Sequence, residues 1–264
     1  MFGIKKILLS GIVIIIFSIS CYSQGEFSTS REPDRYNINS IGIKLNSNGF
    51  GAVYSFQQRK HYRMRRVVEA EYNYVKDIKE VKVINEQFQL LNRKGFVFGK
   101  LFSVHNLKAG YGYSRMIFEK RDNNSVSIHL LGTIGLSINI CKPIYYEKYN
   151  LEDKEIIYEK FDAEHLDDNY NIIGKGPITL GLNEIKIRPG IYAKFGLEFD
   201  FSQDIMQTSV LSAGGVIEGL FPKIEIMAGN GRYIMPSLYV MYSFGKKYNS
   251  KLSREFRREQ RKQK

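Results

Sequence analysis

The chain has 264 residues, 43% of them apolar, with 18 Tyr, 17 Phe, 23 Gly, 6 Pro and no Trp. That apolar share excludes wholesale disorder, and the abundance of Tyr, Phe and Gly over helix-favouring runs leans toward a single β domain. The formal net charge is +12, which suits anionic surroundings such as nucleic acid, lipid head groups or cell-wall polymer. The two cysteines, Cys21 and Cys141, provide neither a disulfide framework nor metal-site spacing.

The first segment reads as an address. Lys5 and Lys6 precede an apolar run over residues 7–17, and Ser18, Ser20 and Ser23 follow. A positive start, a short apolar run and small residues define a secretory signal peptide, expected here over residues 1–23 with cleavage before Gln24. The apolar run is short for a membrane-spanning helix. Ser18-Ile19-Ser20-Cys21 leaves a lipoprotein reading open, although the leading Leu of a lipobox is absent. Export makes nucleic acid an unnatural partner. Removing Lys5 and Lys6 leaves a charge of +10.

Beyond a lead-in over residues 24–38, period 2 replaces any sustained helical period. Residues 40–45 form a short strand ending in the turn signal Asn46-Ser47-Asn48-Gly49, and residues 50–60 form its partner. Residues 67–77 put Val68, Ala70, Tyr72 and Tyr74 opposite Glu69, Glu71 and Asn73. Residues 96–104 and 107–120 read as two strands joined tightly at His105-Asn106. Residues 126–140 alternate most cleanly, with Ile128, Leu130, Ile134, Leu136 and Ile138 opposite Ser127, His129, Thr133 and Ser137. Residues 186–202 place Ile191, Ala193, Phe195, Leu197 and Phe199 against Arg188, Lys194, Glu198 and Asp200. Residues 209–221 and 233–244 complete the series. The count is nine, whereas a closed bacterial barrel needs an even number. Residues 80–91 could add a tenth strand; alternatively, the short first strand lies outside the barrel and leaves eight.

A soluble sandwich also alternates, burying its apolar face. Several of these strands exceed the usual length of about 5–6 residues and suit tilted membrane strands of about 9–11. The opposite face mixes Glu69, Glu71, Lys108, His129, Arg188, Lys194, Glu198 and Asp200 with Gly and Ser. Mixed charge with glycine fills the lumen of a small barrel through paired hydrogen bonds and would serve a bulk-exposed face poorly. Tyr145, Tyr146 and Tyr149, with Tyr239, Tyr242 and Phe244, suit a membrane–water interface. The expectation is an all-β antiparallel transmembrane β-barrel over residues 39–247, with eight or ten strands and a closed lumen. A soluble periplasmic sandwich or ligand-binding barrel is the alternative.

With its signal segment, Gln24 start, dyad strands and the stretch Tyr239-Val240-Met241-Tyr242-Ser243-Phe244-Gly245-Lys246, the chain resembles the small outer-membrane β-barrel proteins of the Bacteroidota type. The likeness covers most of residues 36–247. It implies a Gram-negative outer-membrane location and barrel fold, with outer-membrane lipid as surroundings. It implies little about activity, since most members of the group have no assigned function. Many barrels end at the last strand's aromatic residue, whereas this chain continues for about twenty residues.

Residues 151–184 form a long acidic insertion, where Asp162-Ala163-Glu164-His165-Leu166-Asp167-Asp168 invites a cation reading that lacks EF-hand spacing. No metal or cofactor is expected. Residues 172–182, with Gly174, Gly176, Pro177 and Gly181, could fold over the barrel mouth. The end of the chain carries Lys246, Lys247, Lys251, Arg254, Arg257, Arg258, Arg261, Lys262 and Lys264 against Glu255 and Glu259. This basic tail, over residues 248–264 with Lys246 and Lys247 leading into it, would meet anionic lipid, peptidoglycan or envelope proteins. Nucleophile elbows, phosphate loops and zinc-protease motifs are absent from the sequence. His129 is the one histidine on a polar strand face, so no catalytic residue is assigned. An acid–base role with a carboxylate of a neighbouring strand stays as the enzymatic or narrow-transporter alternative. The leading expectation is a non-enzymatic barrel with a structural or envelope- or secretion-assembly role.

Overall fold

The computed structural model describes residues 36–85, 95–120, 125–150, 155–161, 171–202, 207–229 and 231–249. The signal-peptide segment, the Asp162–Asp168 cluster and the tail beyond residue 249 lie outside them. Eight long strands form one antiparallel ring: β1 (Tyr36–Asn46), β2 (Gly49–His61), β3 (Met64–Val75), β6 (Phe102–Phe118), β7 (Ser127–Pro143), β11 (Lys186–Asp200), β12 (Gln207–Glu225) and β13 (Gly231–Asn249). Each pairs with its neighbours in sequence. The ring closes where β1 runs against β13, from Tyr36↔Asn249 to Asn46↔Tyr239. Closure leaves no strand of the ring as a free edge, although the β11–β12 seam is unpaired at residues 186–189 and 221–223.

The count of eight is reached differently from either expectation. The first strand belongs to the barrel and supplies its closing seam. The break expected at His105-Asn106 does not exist, because both residues pair within continuous ladders to Tyr74/Asn73 and Ile140/Asn139. Asn106 resembles a turn residue in sequence, yet it faces the lumen, where its amide nitrogen donates to Asn139 and Glu218. Of the expected tenth strand, β4 (Lys82–Val83) pairs with β5 (Phe96–Val97) outside the ring, and residues 86–94 lie outside the described set. The barrel also reaches slightly beyond the expected 39–247, starting at Tyr36 and ending at Asn249.

The ring has two unlike ends. At the end where β1 starts and β13 finishes, connections are short: 62–63, 119–126 and 201–206. At the other end two connections are long, 76–101 and 144–185. These carry the β4–β5 pair and a three-stranded sheet of β10 (Ile172–Lys175), β8 (Tyr145–Tyr149) and β9 (Ile156–Lys160). The described part of the acidic insertion thus holds β9, β10 and a 3-10 turn at Leu182–Glu184 before β11.

Polarity is inverted relative to a water-soluble barrel. Ile43, Val68, Ile134, Leu136, Phe195, Ile217, Leu238 and Phe244 are exposed, whereas Lys44, Glu69, Glu71, Lys194, Glu198 and Glu218 are buried. On β13 the outward apolar series runs from Ile234 to Phe244, broken only by Pro236. Ten residue steps make about 34 Å of strand, or about 26 Å of height at a tilt of about 40°, which matches the apolar band of outer-membrane barrels.

Candidate functional site: the lumen and its cap

The lumen is built in layers. At the level where β1 starts and β13 finishes, Asp200 lies 4.0 Å from Arg65 Nη2 and 3.7 Å from Lys120 Nζ, and Ser202 donates to it through N–H and hydroxyl. One step further in, Ser114 donates to Glu198 at 2.7 Å. At the centre, Lys194 donates to Glu71 at 2.6 Å and also to Glu69. Lys44 closes on Glu71 from the opposite wall. Glu69 additionally accepts from Thr133 at 2.7 Å and Tyr192 at 3.1 Å. Above this, Glu218 takes Lys108 at 2.8 Å, Asn106 at 2.7 Å, Ser137 at 2.7 Å and Asn139 at 2.8 Å.

Period-2 alternation makes this possible. One parity of β3, β6, β7, β11 and β12 points inward, so acids and bases from strands far apart in sequence meet as buried side chains across the lumen. Glycine makes the room. A Cβ at Gly110 would overlap the Tyr192 hydroxyl, and one at Gly196 would overlap that of Tyr239. Tyr239, expected at the interface, is instead a lumen residue with its ring 5.7 Å from Lys194 Nζ. Tyr242 and Phe244 do face outward.

The predicted lumen residues Glu69, Glu71, Lys194, Glu198, Asp200 and His129 are all buried inside the ring. Arg188 departs from them: it is half-buried at the mouth, away from the central cluster. His129 stands opposite Glu198 in the ladder, but Glu198 is engaged by Ser114. The hydrogen bond of His129 goes to Ser127 at 3.3 Å. An assembled His–carboxylate pair is therefore absent among the described residues. Lys44, Lys108, Asn106, Asn139 and Glu218 complete the network. Lys44 and Asn106 were missed as site residues because they sit in stretches read as a short strand and a turn.

An apolar layer of Val75, Val104, Cys141, Leu220, Ile224, Ile226 and Met235 lies between the lumen network and the long loops. The thiol of Cys141 is buried in that layer. The cap above has its own core of Phe96, Ile144, Tyr146, Phe161 and Ile172. The Tyr146 hydroxyl accepts from Lys100 N–H at 3.1 Å and donates toward the carbonyls of Val97 and Lys100, both at 2.7 Å. Burial pushes the Tyr146 phenol well above its ordinary range. Lys100, itself buried, pairs with Glu80 at 2.6 Å, and Asn85 donates to Ile172 O at 3.0 Å, tying one long loop to the other. At the outer edge Glu184 is held below the usual carboxylate range by its hydrogen bonds with Lys160 and Tyr145. Of the basic residues near the chain end, Lys246 and Lys247 belong to β13: Lys246 is exposed opposite Asn39, and Lys247 lies over the Tyr36 ring at 5.9 Å. Lys251, Arg254, Arg257, Arg258, Arg261 and Lys262 are outside the described residues.

The ring, its closed lumen and its inverted polarity define an eight-stranded antiparallel β-barrel. No protein-family model and no curated protein matches the chain. Among solved structures it is similar to Neisserial surface protein A, at 9% identity and a TM-score of 0.37 over 82% of this chain and 97% of that one. It is likewise similar to Ail, the attachment invasion locus protein of Yersinia pestis, at 9% identity and a TM-score of 0.38 over 81% and 99%. A third is the N-terminal β-barrel domain of Pseudomonas aeruginosa OprF, at 9% identity and 0.31 over 81% and 98%. Overlap of this extent does not establish a barrel; the strand pairing of the chain itself does.

Proposed function

We propose that the chain is an integral outer-membrane β-barrel of a Gram-negative envelope, of the Bacteroidota type, acting as a non-conducting structural or assembly partner. The observation that carries this reading is the polarity: hydrocarbon-compatible side chains cover the outside of the ring while ion pairs fill it. Water would leave that outer belt uncompensated, and a bilayer satisfies it. A lumen occupied by side chains disfavours diffusion. Recognition then falls to the surfaces beyond the bilayer. Short connections at the end holding both strand termini and long ones opposite match the periplasmic and external ends of such barrels. On this orientation the cap faces outward and the basic tail faces anionic lipid head groups or peptidoglycan.

The test is alkaline carbonate washing of membranes that contain the full chain, followed by planar-bilayer recording of the purified protein. Retention in the pellet without conductance above background is the expected result. Release into the wash would overturn the membrane reading, and steady open-channel current would overturn the non-conducting one. Deleting residues 251–264 should reduce co-sedimentation with purified cell wall; unchanged sedimentation removes the tail from the proposal.

A further inference from the structure

The β11–β12 seam is incomplete at its outer end. β11 pairs with β7 along its full length, Lys186↔Cys141 to Asp200↔Ser127, but with β12 only from Gly190↔Leu220 inward. Lys186, Ile187, Arg188 and Pro189 have no partner on β12. On β12 the ladder to β13 jumps from Gly219↔Ile234 to Ile224↔Arg232, so five β12 steps face two on β13 and Phe221–Lys223 pair on neither side. Pro189 and Pro222 border this gap, and neither has an N–H with which to close it.

Behind the gap is a cavity of about 320 Å3. Lys186, Arg188 and Lys223 edge it, and Phe102, Cys141 and Ile224 back it. Its one acid, Glu225, is engaged by Lys223 at 2.7 Å. Lys186 makes no ion pair among the described residues: its ammonium lies 5.6 Å from the Phe102 ring, and its charge reaches Glu184, which Lys160 and Tyr145 already hold. Arg188 has no ion pair or hydrogen bond among the described residues. This breaks the pattern of the lumen, where Lys44, Lys108 and Lys194 each meet a carboxylate. The outward neighbours of the gap, Ile187 and Phe221, are 66% and 61% exposed. The opening is therefore edged by cations, backed by apolar groups and flanked by side chains suited to hydrocarbon.

We propose that this side opening binds the phosphate head of a bilayer lipid, entering laterally from the leaflet on the cap side. The Arg188 fork and Lys186 take the phosphate oxygens, and the start of the acyl portion lies against Phe102 and Ile224. Planar guanidinium and ammonium donors together suit a phosphate, which accepts at several oxygens. The lateral route lies where residues 186–189 and 221–223 leave the seam unpaired, and two of these residues are prolines with no N–H to donate. The site rests on the outer-membrane reading for its lipid source.

The test is native mass spectrometry of the full chain in detergent. Its folded state is checked by heat-modifiable gel migration and its membrane integration by carbonate washing, so failure of the membrane reading shows itself separately. The probes are phosphatidylglycerol, phosphatidylcholine and inorganic phosphate. Retention of phosphatidylglycerol over phosphatidylcholine is expected, without displacement by inorganic phosphate. In the Lys186→Gln/Arg188→Gln variant retention should fall roughly tenfold or more, the worth of one charge-assisted contact. Lys246→Gln, at the opposite end of the barrel, should bind as the unmodified chain does. Equal retention of the two lipids, loss by inorganic phosphate competition, or a folded double variant that binds normally would each overturn the proposal.

Discussion

Replacing Lys194 by Met removes the cation on which the centre of the lumen converges. Its ammonium is fully buried and serves two carboxylates, Glu71 at 2.6 Å and Glu69. At an effective dielectric of about 20, one contact at that distance is worth about 6 kcal/mol of attraction. Desolvation of the three ions offsets most of it, so the measured cost is that of stranding two buried acids. Lys44 still covers Glu71, and Thr133 and Tyr192 still donate to Glu69. The expected loss is about 3–5 kcal/mol. Urea unfolding in detergent micelles, followed by the heat-modifiable band shift, should show the midpoint falling by about 2 M for a slope of about 2 kcal/mol per M. In a Glu71→Gln background one of the stranded acids is already neutral, so Lys194→Met should cost less, with a coupling of about 0.5–3 kcal/mol. A loss below about 1 kcal/mol, or an identical loss in both backgrounds, would mean that water screens the cluster and that ion pairing does not hold the lumen together.

Three further outcomes follow from the same geometry. Ile134→Arg, on an outward residue that is 70% exposed, should cost about 2–4 kcal/mol in a bilayer; a water-exposed site would tolerate it within about 0.5 kcal/mol, so lipid-vesicle unfolding distinguishes the two. Gly110→Ala pushes the Tyr192 hydroxyl off Glu69 and should cost about 1–3 kcal/mol by overpacking; the double variant Gly110→Ala/Tyr192→Phe should recover part of that loss in the same assay. Tyr146→Phe strips the cap of the hydroxyl that Lys100 N–H and the Val97 carbonyl share, at about 1–3 kcal/mol; limited proteolysis should then cut the 76–101 and 144–185 loops faster while the band shift of the barrel is unchanged.

Alternation along β3, β7 and β11 divides each strand into two faces in the sequence, because a period of two is a local property of the extended chain; on β13 Tyr239 reads as interfacial by residue type although its parity points it inward. That parity alone separated Glu69, Glu71, Lys194, Glu198 and Asp200 from the greasy side. It could not say which carboxylate meets which ammonium. Lys194 reaches Glu69 and Glu71 across more than a hundred residues of sequence, and the partners are selected by barrel closure and stagger. Strand ends were the weaker part. His105-Asn106 reads as a turn by residue type, yet Asn106 lies in mid-strand, where its amide nitrogen donates to Asn139 and Glu218 across the lumen. The short first strand gave no sign that it would form the seam with β13, since ring closure is decided by the pairing of the two chain-distant edges. The cap was legible only as a long insertion, because its core joins Phe96 to Ile144, Tyr146, Phe161 and Ile172 from two separate loops. The unpaired stretch beside Pro189 and Pro222 also waited on the fold: a proline forbids a hydrogen bond wherever it stands, but only the assembled wall places two of them on facing edges of one seam.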